Sequence, residues 1–502
     1  MPDVPPPPPA SNTKVLIAGA GVAGLTLAIL LDKAGIAYEI FERQEHIKPQ
    51  GSAAALGFNI MPLMEQLGLL DELKSISKVV DGTTLYKEDM EVIREIRLRD
   101  NRALTGYDTL VTSRPEFHAL LTSRVSKDKI HMNKHIVGFT QDIDSVTISC
   151  ADGTIYTGDI LVGADGAYSS VRKILYRQMK DEGILPASDE VELLSHYLSI
   201  LGTTRPLDPK NYEGLEDDDS HSDAVIGNER GLSWRYFTIP HNRVCWRIDV
   251  QAKDMDPALY ENWLNAEYNV FDVTQLPEEW KHHKLPIMGE LKDLFDSSPK
   301  ESISKVVLED RVYETWKHGR TVLIGDAAHK VADRDIRKKE NWMDGKFNGR
   351  AMNAILDGVV LANLLYEMST PSQKNINKAL DEFYTERFPS VTKELNATQQ
   401  MLTVLAGKTW LDSAARFVLL KLVPKYFKEK SQEYTLQYRP QALFLPSIES
   451  RGSVPNTPQR PSRKYTALQK NQAAATAAAA AVTAAAAAGI AASEVNSDSS
   501  IS

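Results

Sequence analysis

The sequence predicts an α/β fold in which a β-rich segment interrupts a domain of parallel strands and helices. Val15–Ala18 and Thr321–Ile324 are short apolar runs that end at glycine, a pattern typical of strands buried on both faces of a parallel sheet. Between them, residues 232–250 alternate apolar and polar side chains, as strands with one buried face do. The parallel-sheet domain is therefore expected to be discontinuous in sequence.

The first element is a strand–turn–helix–strand unit over residues 14–42. Leu25, Leu27 and Leu30 give the segment after the glycines the pattern of a buried helix, and Tyr38–Phe41 is a second apolar strand. This length matches the ~30 residues of a βαβ unit. The chain is therefore predicted to open with a Rossmann-like nucleotide-binding motif.

Gly19, Gly21 and Gly24 match the GxGxxG pattern of dinucleotide-binding turns. Glycine permits the tight turn, lets the backbone approach a pyrophosphate and allows close helix packing. Glu42 stands where a carboxylate accepts hydrogen bonds from ribose hydroxyls, with Arg43 beside it. Because a carboxylate would repel the 2′-phosphate of NADP, the site favours FAD or NAD.

Later elements follow from the same periodicities. The remaining predictions are strands at Ser145–Cys150 and Ile155–Leu161 and helices at Ala351–Met368, Leu380–Ala406 and Trp410–Lys430. Pro424 would interrupt the last helix, and order is expected to end near Tyr438.

Composition excludes several functional classes. The 502 residues are 42% apolar, enough for a large core, and carry a formal charge of -9 without a long basic block. Nucleic-acid binding therefore has little electrostatic support. Cys150 and Cys245 are too few for a disulfide framework or a cysteine-rich metal site. No metal is expected, and a reducing, cytoplasmic location fits.

Two further segments are more specific than the glycine turn. Residues 159–172 run from an apolar strand through Asp165-Gly166 to Ser169 and Arg172, and residues 319–329 run from a strand through Gly325-Asp326. Both resemble signature segments of FAD-dependent monooxygenases of the aromatic-hydroxylase type, related to p-hydroxybenzoate hydroxylase and including fungal members of secondary metabolism. The resemblance covers about residues 14–440 and implies FAD rather than NAD as the bound nucleotide.

The resemblance assigns roles to single residues. Asp165 and Gly166 would lie near FAD, and Asp326 would accept hydrogen bonds from the flavin ribityl hydroxyls. Gly51 and Arg114 match positions near the flavin. Plainer interpretations stay open: a surface turn at 164–166, a helix cap at Asp326 and a helix-start charge at Arg114.

The chain departs from the family after Asp326. Relatives continue into a glycine-rich turn and a helix, whereas residues 331–347 are highly charged, and the pattern resumes only near Ala351, another expected cofactor neighbour. Arg350 replaces an expected glycine. An adaptive loop, a degraded oxygen-activating site and an error in the gene model are the three explanations. His329 is expected to pack and hydrogen-bond without a chemical role.

The resemblance implies a reaction in which NADPH or NADH reduces FAD, O2 adds at the flavin C4a carbon, and the hydroperoxide transfers one oxygen to an organic substrate. Aromatic, polyketide and terpenoid substrates fit, and no catalytic side-chain base is predicted. A single GxGxxG fold favours transient NAD(P)H binding. The alternatives are an FAD-binding protein without monooxygenase turnover and an FAD-dependent reductase.

The implied domains are, in order, a disordered proline-rich tail (1–13), the first stretch of a discontinuous FAD-binding domain (14–180), a β-rich substrate domain (181–305), the second stretch of the FAD-binding domain (306–400), a C-terminal helical segment (401–446) and a low-complexity tail (447–502). Residues 410–430 mix apolar residues with lysines, so they are expected either to dock on the protein or to contact a membrane peripherally. The expected partner is a small-molecule substrate, and the oligomeric state stays open.

Overall fold

The computed structural model describes residues 12–46, 51–98, 100–190, 197–212, 214–227, 232–251, 269–287, 289–308, 311–330, 350–406 and 436–477. In these residues the strands are β1 (Lys14–Ala18), β2 (Ala37–Phe41), β3 (Ala53–Leu56), β4 (Lys78–Val79), β5 (Gly82–Lys87), β6 (Val92–Arg97), β7 (Leu110–Ser113), β8 (Ile130–His131), β9 (Ile136–Gln141), β10 (Val146–Cys150), β11 (Ile155–Gly158), β12 (Ile160–Gly163), β13 (Tyr197–Thr203), β14 (Ser222–Ile226), β15 (Leu232–Ile239), β16 (Arg243–Gln251), β17 (Asn269–Val270), β18 (Ser304–Leu308), β19 (Arg311–Val312), β20 (Lys317–His318), β21 (Thr321–Leu323) and β22 (His329–Lys330). The α-helices are α1 (Val22–Lys33), α2 (Met61–Gln66), α3 (Leu70–Ser75), α4 (Asp100–Thr105), α5 (Arg114–Thr122), α6 (Ser170–Asp181), α7 (Ala187–Glu190), α8 (Glu278–Lys281), α9 (Leu291–Ser297), α10 (Arg350–Glu367), α11 (Gln373–Ala406) and α12 (residues 463–477).

A six-stranded, mainly parallel sheet has the order β20-β21-β12-β1-β2-β8. Its central strand β1 pairs in parallel with β12 and β2, and β12 pairs in parallel with β21. Val15, Leu16 and Ile17 are fully buried, as expected of a parallel strand covered on both faces. Since these strands come from three distant segments, the prediction of a discontinuous α/β fold is confirmed.

The predicted strand Ile155–Leu161 is wrong as one element. Residues 155–158 pair antiparallel with β10, whereas residues 160–163 pair in parallel with β1. The switch occurs at Asp159, whose N–H donates to the Lys14 carbonyl at 2.8 Å and whose carboxylate accepts from the Lys14 N–H at 2.7 Å. Apolar periodicity detects strands but not the sheet that each one joins, so the sequence could not separate the two.

An eight-stranded sheet forms the second layer, in the order β17-β18-β13-β16-β15-β14-β5-β6. Trp234 and Trp246 are fully buried on neighbouring strands in the apolar core of this sheet. Strands β5 and β6 (residues 82–97) lie before the predicted insertion, yet they form one edge of the sheet. The division of the chain into domains stays a prediction.

Two long helices follow the parallel sheet, close to the positions predicted for them. Helix α10 is Arg350–Glu367, and α11 begins earlier than expected, at Gln373. Ile376, Leu380 and Phe383 are buried at the spacing of one helix face, which explains the earlier start. The predicted segment 410–430 lies outside the described residues. Among the helices described, none is long and apolar enough to span a membrane.

The expected loss of order near Tyr438 is wrong for residues 436–466. Arg439 is 3% exposed, and its guanidinium donates to the Thr105 carbonyl at 2.9 Å. Phe444 packs on Tyr366 of α10, and the Ser462 hydroxyl donates to Glu367 at the end of α10. This segment therefore packs against one of the two long helices that follow the parallel sheet. These contacts join residues far apart in sequence, and no local sequence pattern predicts them.

Candidate functional site

A cavity lies between the segments that resemble FAD-binding signatures and one face of the eight-stranded sheet. Its lining residues are Gly21, Val22, Ala23, Gly51, Ser52, Ala53, Ala54, Ala55, Arg114, Phe117, Ala164, Gly166, Leu201, Arg235, Phe237, Cys245, Trp246, Arg247, Val306, Asp326, Arg350, Ala351 and Ala354. Six predicted cofactor positions are among them: Gly21, Gly51, Arg114, Gly166, Asp326 and Ala351. The other five positions are not among the lining residues: Gly19, Gly24, Glu42, Arg43 and Asp165. All of them except Arg43 shape the chain segments around the cavity.

The glycine turn at the end of β1 is sterically determined. A Cβ on Gly19, whose φ is 97°, would lie 2.7 Å from the Ala164 carbonyl oxygen, and a Cβ on Gly24 would lie 2.1 Å from that of Gly19. Both positions therefore require glycine for the fold itself. Gly21 differs, because it lines the cavity and a Cβ there would meet only the Ala164 carbonyl oxygen, at 4.0 Å.

Glu42 stands beside this turn rather than in the cavity wall. Its carboxylate accepts hydrogen bonds from the N–H groups of Ala20 and Gln44, each at 2.9 Å. The His118 side chain donates to the Ala20 carbonyl at 2.7 Å. The arrangement holds a carboxylate at the mouth of the turn, while the adjacent Arg43 is exposed. Ribose binding by this pair stays a prediction.

Gly51 and Arg114 meet at the cavity wall. A Cβ on Gly51, whose φ is 115°, would lie 2.8 Å from Cδ of Arg114. The Arg114 N–H donates to the Ser52 carbonyl at 2.7 Å, and Arg114 is the first residue of α5. The turn at Gly51 therefore needs glycine to fit against the arginine that was expected near the flavin.

Asp165 faces the N-terminus of α6. Its carboxylate accepts from the N–H groups of Ser170 and Val171 at 2.7 and 3.1 Å and from the Ser169 hydroxyl. Burial raises the pKa of the Asp165 carboxyl, although these hydrogen bonds oppose the shift. A direct flavin contact of Asp165 stays a prediction, whereas Gly166 beside it does line the cavity.

A buried ionic network next to Asp326 was not predicted from the sequence. Asp357 of α10 accepts hydrogen bonds from the Gly325 N–H at 2.8 Å, His329 Nε2 at 2.6 Å and Arg387 Nε at 2.7 Å. Asp357, His329 and Arg387 are at most 2% exposed. The network ties the turn before Asp326 to helices α10 and α11. The available signal was Asp357, the only charged residue between the two ends of the otherwise largely apolar helix α10.

The pKa of Asp357 reflects this pairing. Burial alone would raise the pKa of its carboxyl, but the charges of His329 and Arg387 and the hydrogen bonds from His329 and Gly325 hold it below its usual value. The carboxylate is therefore ionised near neutral pH. His329 packs against Trp316, with ring centroids 5.0 Å apart, and its position agrees with the expected packing and hydrogen-bonding role.

The opposite wall of the cavity belongs to the eight-stranded sheet and is partly cationic. Arg235 and Arg247 are direct cross-strand neighbours that share Asp249. Arg247 Nε donates to Asp249 at 2.6 Å, and Arg235 lies 3.8 Å from its other oxygen. Leu201, Phe237 and Val306 make the rest of this wall apolar. The wall can therefore exclude water yet orient a polar oxygen.

Metal and thiol chemistry have little support in the part of the chain that the structure describes. No group of three or more His, Cys, Asp or Glu side chains there could hold a metal ion. Cys245 lines the cavity, but burial raises the pKa of its thiol to about 11. A thiol with that pKa is a poor nucleophile at neutral pH.

The cavity fits a dinucleotide flavin. Gly21 is the N-cap of α1, where the first helical N–H groups are available to a phosphate. It leaves open the space that a side chain would fill, and Asp326 adds a carboxylate acceptor at the cavity wall. These features match a pyrophosphate at the helix N-terminus with a polyhydroxyl chain beyond it.

Comparison with known proteins agrees with this geometry. A family model described as an FAD binding domain matches residues 12–220. The FAD-dependent monooxygenase ausM of Emericella nidulans is 26% identical over 459 residues, which cover 88% of this chain and 89% of the relative. The FAD-dependent monooxygenase olcE of Penicillium canescens is 26% identical, covering 83% and 85%.

Solved structures share the fold. Klebsiella pneumoniae HpxO, complexed with FAD and uric acid, superposes with a TM-score of 0.63 at 18% identity, covering 85% of this chain and 97% of that one. The 2,6-dihydroxypyridine-3-hydroxylase of Arthrobacter nicotinovorans gives 0.59 at 19% identity, covering 78% and 93%. Residues 12–220 therefore match an FAD binding domain, the chain is similar to FAD-dependent monooxygenases over most of its length, and it shares the fold of these solved structures.

Proposed function

We propose that this chain binds FAD in the cavity, oxidises NADPH or NADH, and inserts one oxygen atom from O2 into a small organic substrate. Bound FAD would supply the redox chemistry, by accepting a hydride and by reacting with dioxygen at its C4a carbon. The observation that carries the proposal is the shared cavity: six predicted cofactor positions form one side, and the face of a separate sheet forms the other. Aromatic, polyketide and terpenoid compounds are the candidate substrates.

The protein's own groups would bind and orient. The N-terminus of α1 at Gly21 would hold the pyrophosphate, and Asp326 would accept from the ribityl hydroxyls. Leu201, Phe237 and Val306 would keep water from the reacting atoms. The paired arginines at positions 235 and 247 would orient a polar oxygen of the substrate.

The first experiment follows the flavin of the purified protein. Under anaerobic conditions NADPH or NADH should bleach the visible absorbance of the oxidised flavin, and O2 should restore it. Bleaching in the presence of candidate substrates must be included, because substrate can be needed to trigger reduction. A protein that binds FAD but is not reduced with any donor or substrate would favour the alternative of lost turnover. Product without oxygen from labelled O2 would favour an FAD-dependent reductase.

The site assignment has its own test. In Gly21→Ala the added methyl meets no protein atom closer than 4.0 Å, so the variant should fold normally but bind FAD at least tenfold more weakly. Gly138→Ala is the matched control, because a Cβ on this glycine of β9 meets nothing within 4 Å. Fluorescence titration of the apoprotein with FAD measures both. If the Gly21→Ala and Gly138→Ala variants bound FAD with equal affinity, the pyrophosphate would not lie at Gly21.

A further inference from the structure

Arg350 stands where the family resemblance predicts glycine, and its side chain reaches the cavity. It is the first residue of α10 and lines the cavity beside Ala351 and Ala354. Its Nη1 lies 3.9 Å from Oδ2 of Asp326, within ion-pair range but beyond hydrogen-bond distance. A guanidinium therefore stands beside the carboxylate proposed to hold the flavin.

Buried contacts fix the first turn of α10 relative to Asp326. Asp357, about two turns along the same helix, accepts the hydrogen bond from the Gly325 N–H at 2.8 Å. A Cβ on Gly325 would lie 3.2 Å from Cβ of Ala354, so the helix and the loop already touch. The backbone of Arg350 cannot withdraw from Asp326 without breaking these contacts.

The charges around Arg350 favour an anion in the cavity. The N-terminal end of a helix is already positive, and a cation there is unfavourable unless an anion offsets it. The first turn of α10 contains no acidic residue. Asp326 provides one carboxylate at 3.9 Å, while Arg114, at the start of α5, adds another guanidinium to the cavity wall. Among the lining residues that the structure describes, Asp326 is the only carboxylate, and the cationic side chains are those of Arg114, Arg235, Arg247 and Arg350.

We propose that Arg350 raises the reduction potential of bound FAD and so favours hydride transfer from NAD(P)H. The inference rests on the proposed function above. Hydride transfer gives the isoalloxazine two electrons and one proton and leaves NAD(P)+, so the flavin gains one negative charge. A guanidinium in a partly buried cavity stabilises that charge more than it would in water.

A competing role for Arg350 is obstruction, in which its ion pair with Asp326 must break before the ribityl chain can bind. Obstruction and redox tuning predict different effects of removing the charge. If Arg350 obstructs the site, removing it would make FAD bind more tightly and would leave the reduction potential of FAD unchanged. If Arg350 instead raises the reduction potential, removing it would lower the affinity of the protein for reduced flavin relative to its affinity for oxidised flavin.

The test compares FAD-loaded wild type with Arg350→Lys, Arg350→Gln and Arg350→Gly. The two-electron midpoint potential is measured by equilibration with reference dyes, and the Kd of sulfite by titration, since sulfite adds to oxidised flavin and leaves it negatively charged. Arg350→Gln and Arg350→Gly should bind sulfite about tenfold more weakly. Their potentials should fall by about 30 mV, the equivalent of a tenfold change for a two-electron couple. Arg350→Lys should stay close to wild type.

Arg124→Gln is the matched control, because it removes a surface arginine that is paired with Glu72 and is not among the cavity lining residues. It should change neither quantity. Unchanged potentials in Arg350→Gln and Arg350→Gly would overturn the inference, and tighter FAD binding with unchanged potentials would assign obstruction. A wild-type protein that binds no FAD would instead overturn the proposed function. If Arg350→Gly does not fold, the lysine and glutamine variants decide.

Discussion

The substitution Asp357→Asn tests whether the buried network supports the turn that carries Asp326. It keeps the shape of the side chain but removes the charge that Arg387 and His329 share. Arg387 is 1% exposed and would keep its charge without a full counter-ion. Breaking a buried ion pair in this way costs about 3–5 kcal/mol. The Gly325 N–H would also lose its charged acceptor, which should weaken FAD binding.

The assay is urea unfolding of the FAD-free protein, followed by circular dichroism, together with FAD titration. Asp381→Asn is the matched control on helix α11, because Asp381 pairs with Lys317 at 2.6 Å and its side chain is 63% exposed. Exposed pairs contribute about 0–1 kcal/mol. Adding Arg387→Met to Asp357→Asn should recover some of the lost stability, since the isolated charge is then gone. If Asp357→Asn costs no more than the control, the reasoning from the buried charge fails.

The same carboxylate predicts a pH dependence. Because the pKa of Asp357 is held below its usual value in the folded protein, its ionised form stabilises the fold. That contribution is fully present above about pH 4, the value of a free Asp, and is lost as the pH falls through the lower folded pKa. The stability difference between wild type and Asp357→Asn should therefore shrink below about pH 4. A difference that stays constant in acid would contradict the sign of the shift.

Three further predictions concern other regions of the site. Glu42→Ala removes the acceptor of two backbone N–H groups and should weaken FAD binding at least tenfold in fluorescence titration; unchanged binding would refute its place at the ribose. Asp249→Asn leaves Arg235 and Arg247 sharing a neutral amide, so the free energy of unfolding should fall by about 3 kcal/mol in urea, and a loss below about 1 kcal/mol would mean that water already solvates the pair. Cys150 and Cys245 are buried with raised pKa values of their thiols; a thiol reagent should label neither in native protein at about pH 8 and both in urea, and rapid native labelling would contradict their burial.

Much of the fold was predictable because its signals are local. The glycine turn, the apolar strands β1 and β21, and helix α10 each occupy one short segment whose spacing reports its own structure. Six predicted cofactor positions line one cavity for the same reason. The carboxyl ends of neighbouring parallel strands meet at one edge of a sheet, so separate turns converge without any signal that links them in sequence.

The remaining features depend on contacts between distant residues. Nothing near Asp357 indicates that Arg387 and His329 will meet it, and nothing in residues 82–97 distinguishes an edge of the second sheet from a hairpin of the first. The packing of residues 436–466 was masked by a composition rich in Pro and Ser. Pairwise tertiary contacts override local propensity at such places.

The scattered origin of the parallel sheet also determines when the protein can first hold its cofactor. Strand β1 leaves the ribosome before the other strands of this sheet, and β12, β21 and the start of α10 follow only after residues 160, 321 and 350 have been made. At synthesis rates of about 5–20 residues per second, roughly 17–70 seconds separate the first strand from the last cavity wall. The nascent chain must therefore keep the apolar face of its opening βαβ unit covered without FAD. FAD in the proposed site could bind only after the cavity walls have been synthesised, and it would then stabilise the chains that have closed correctly.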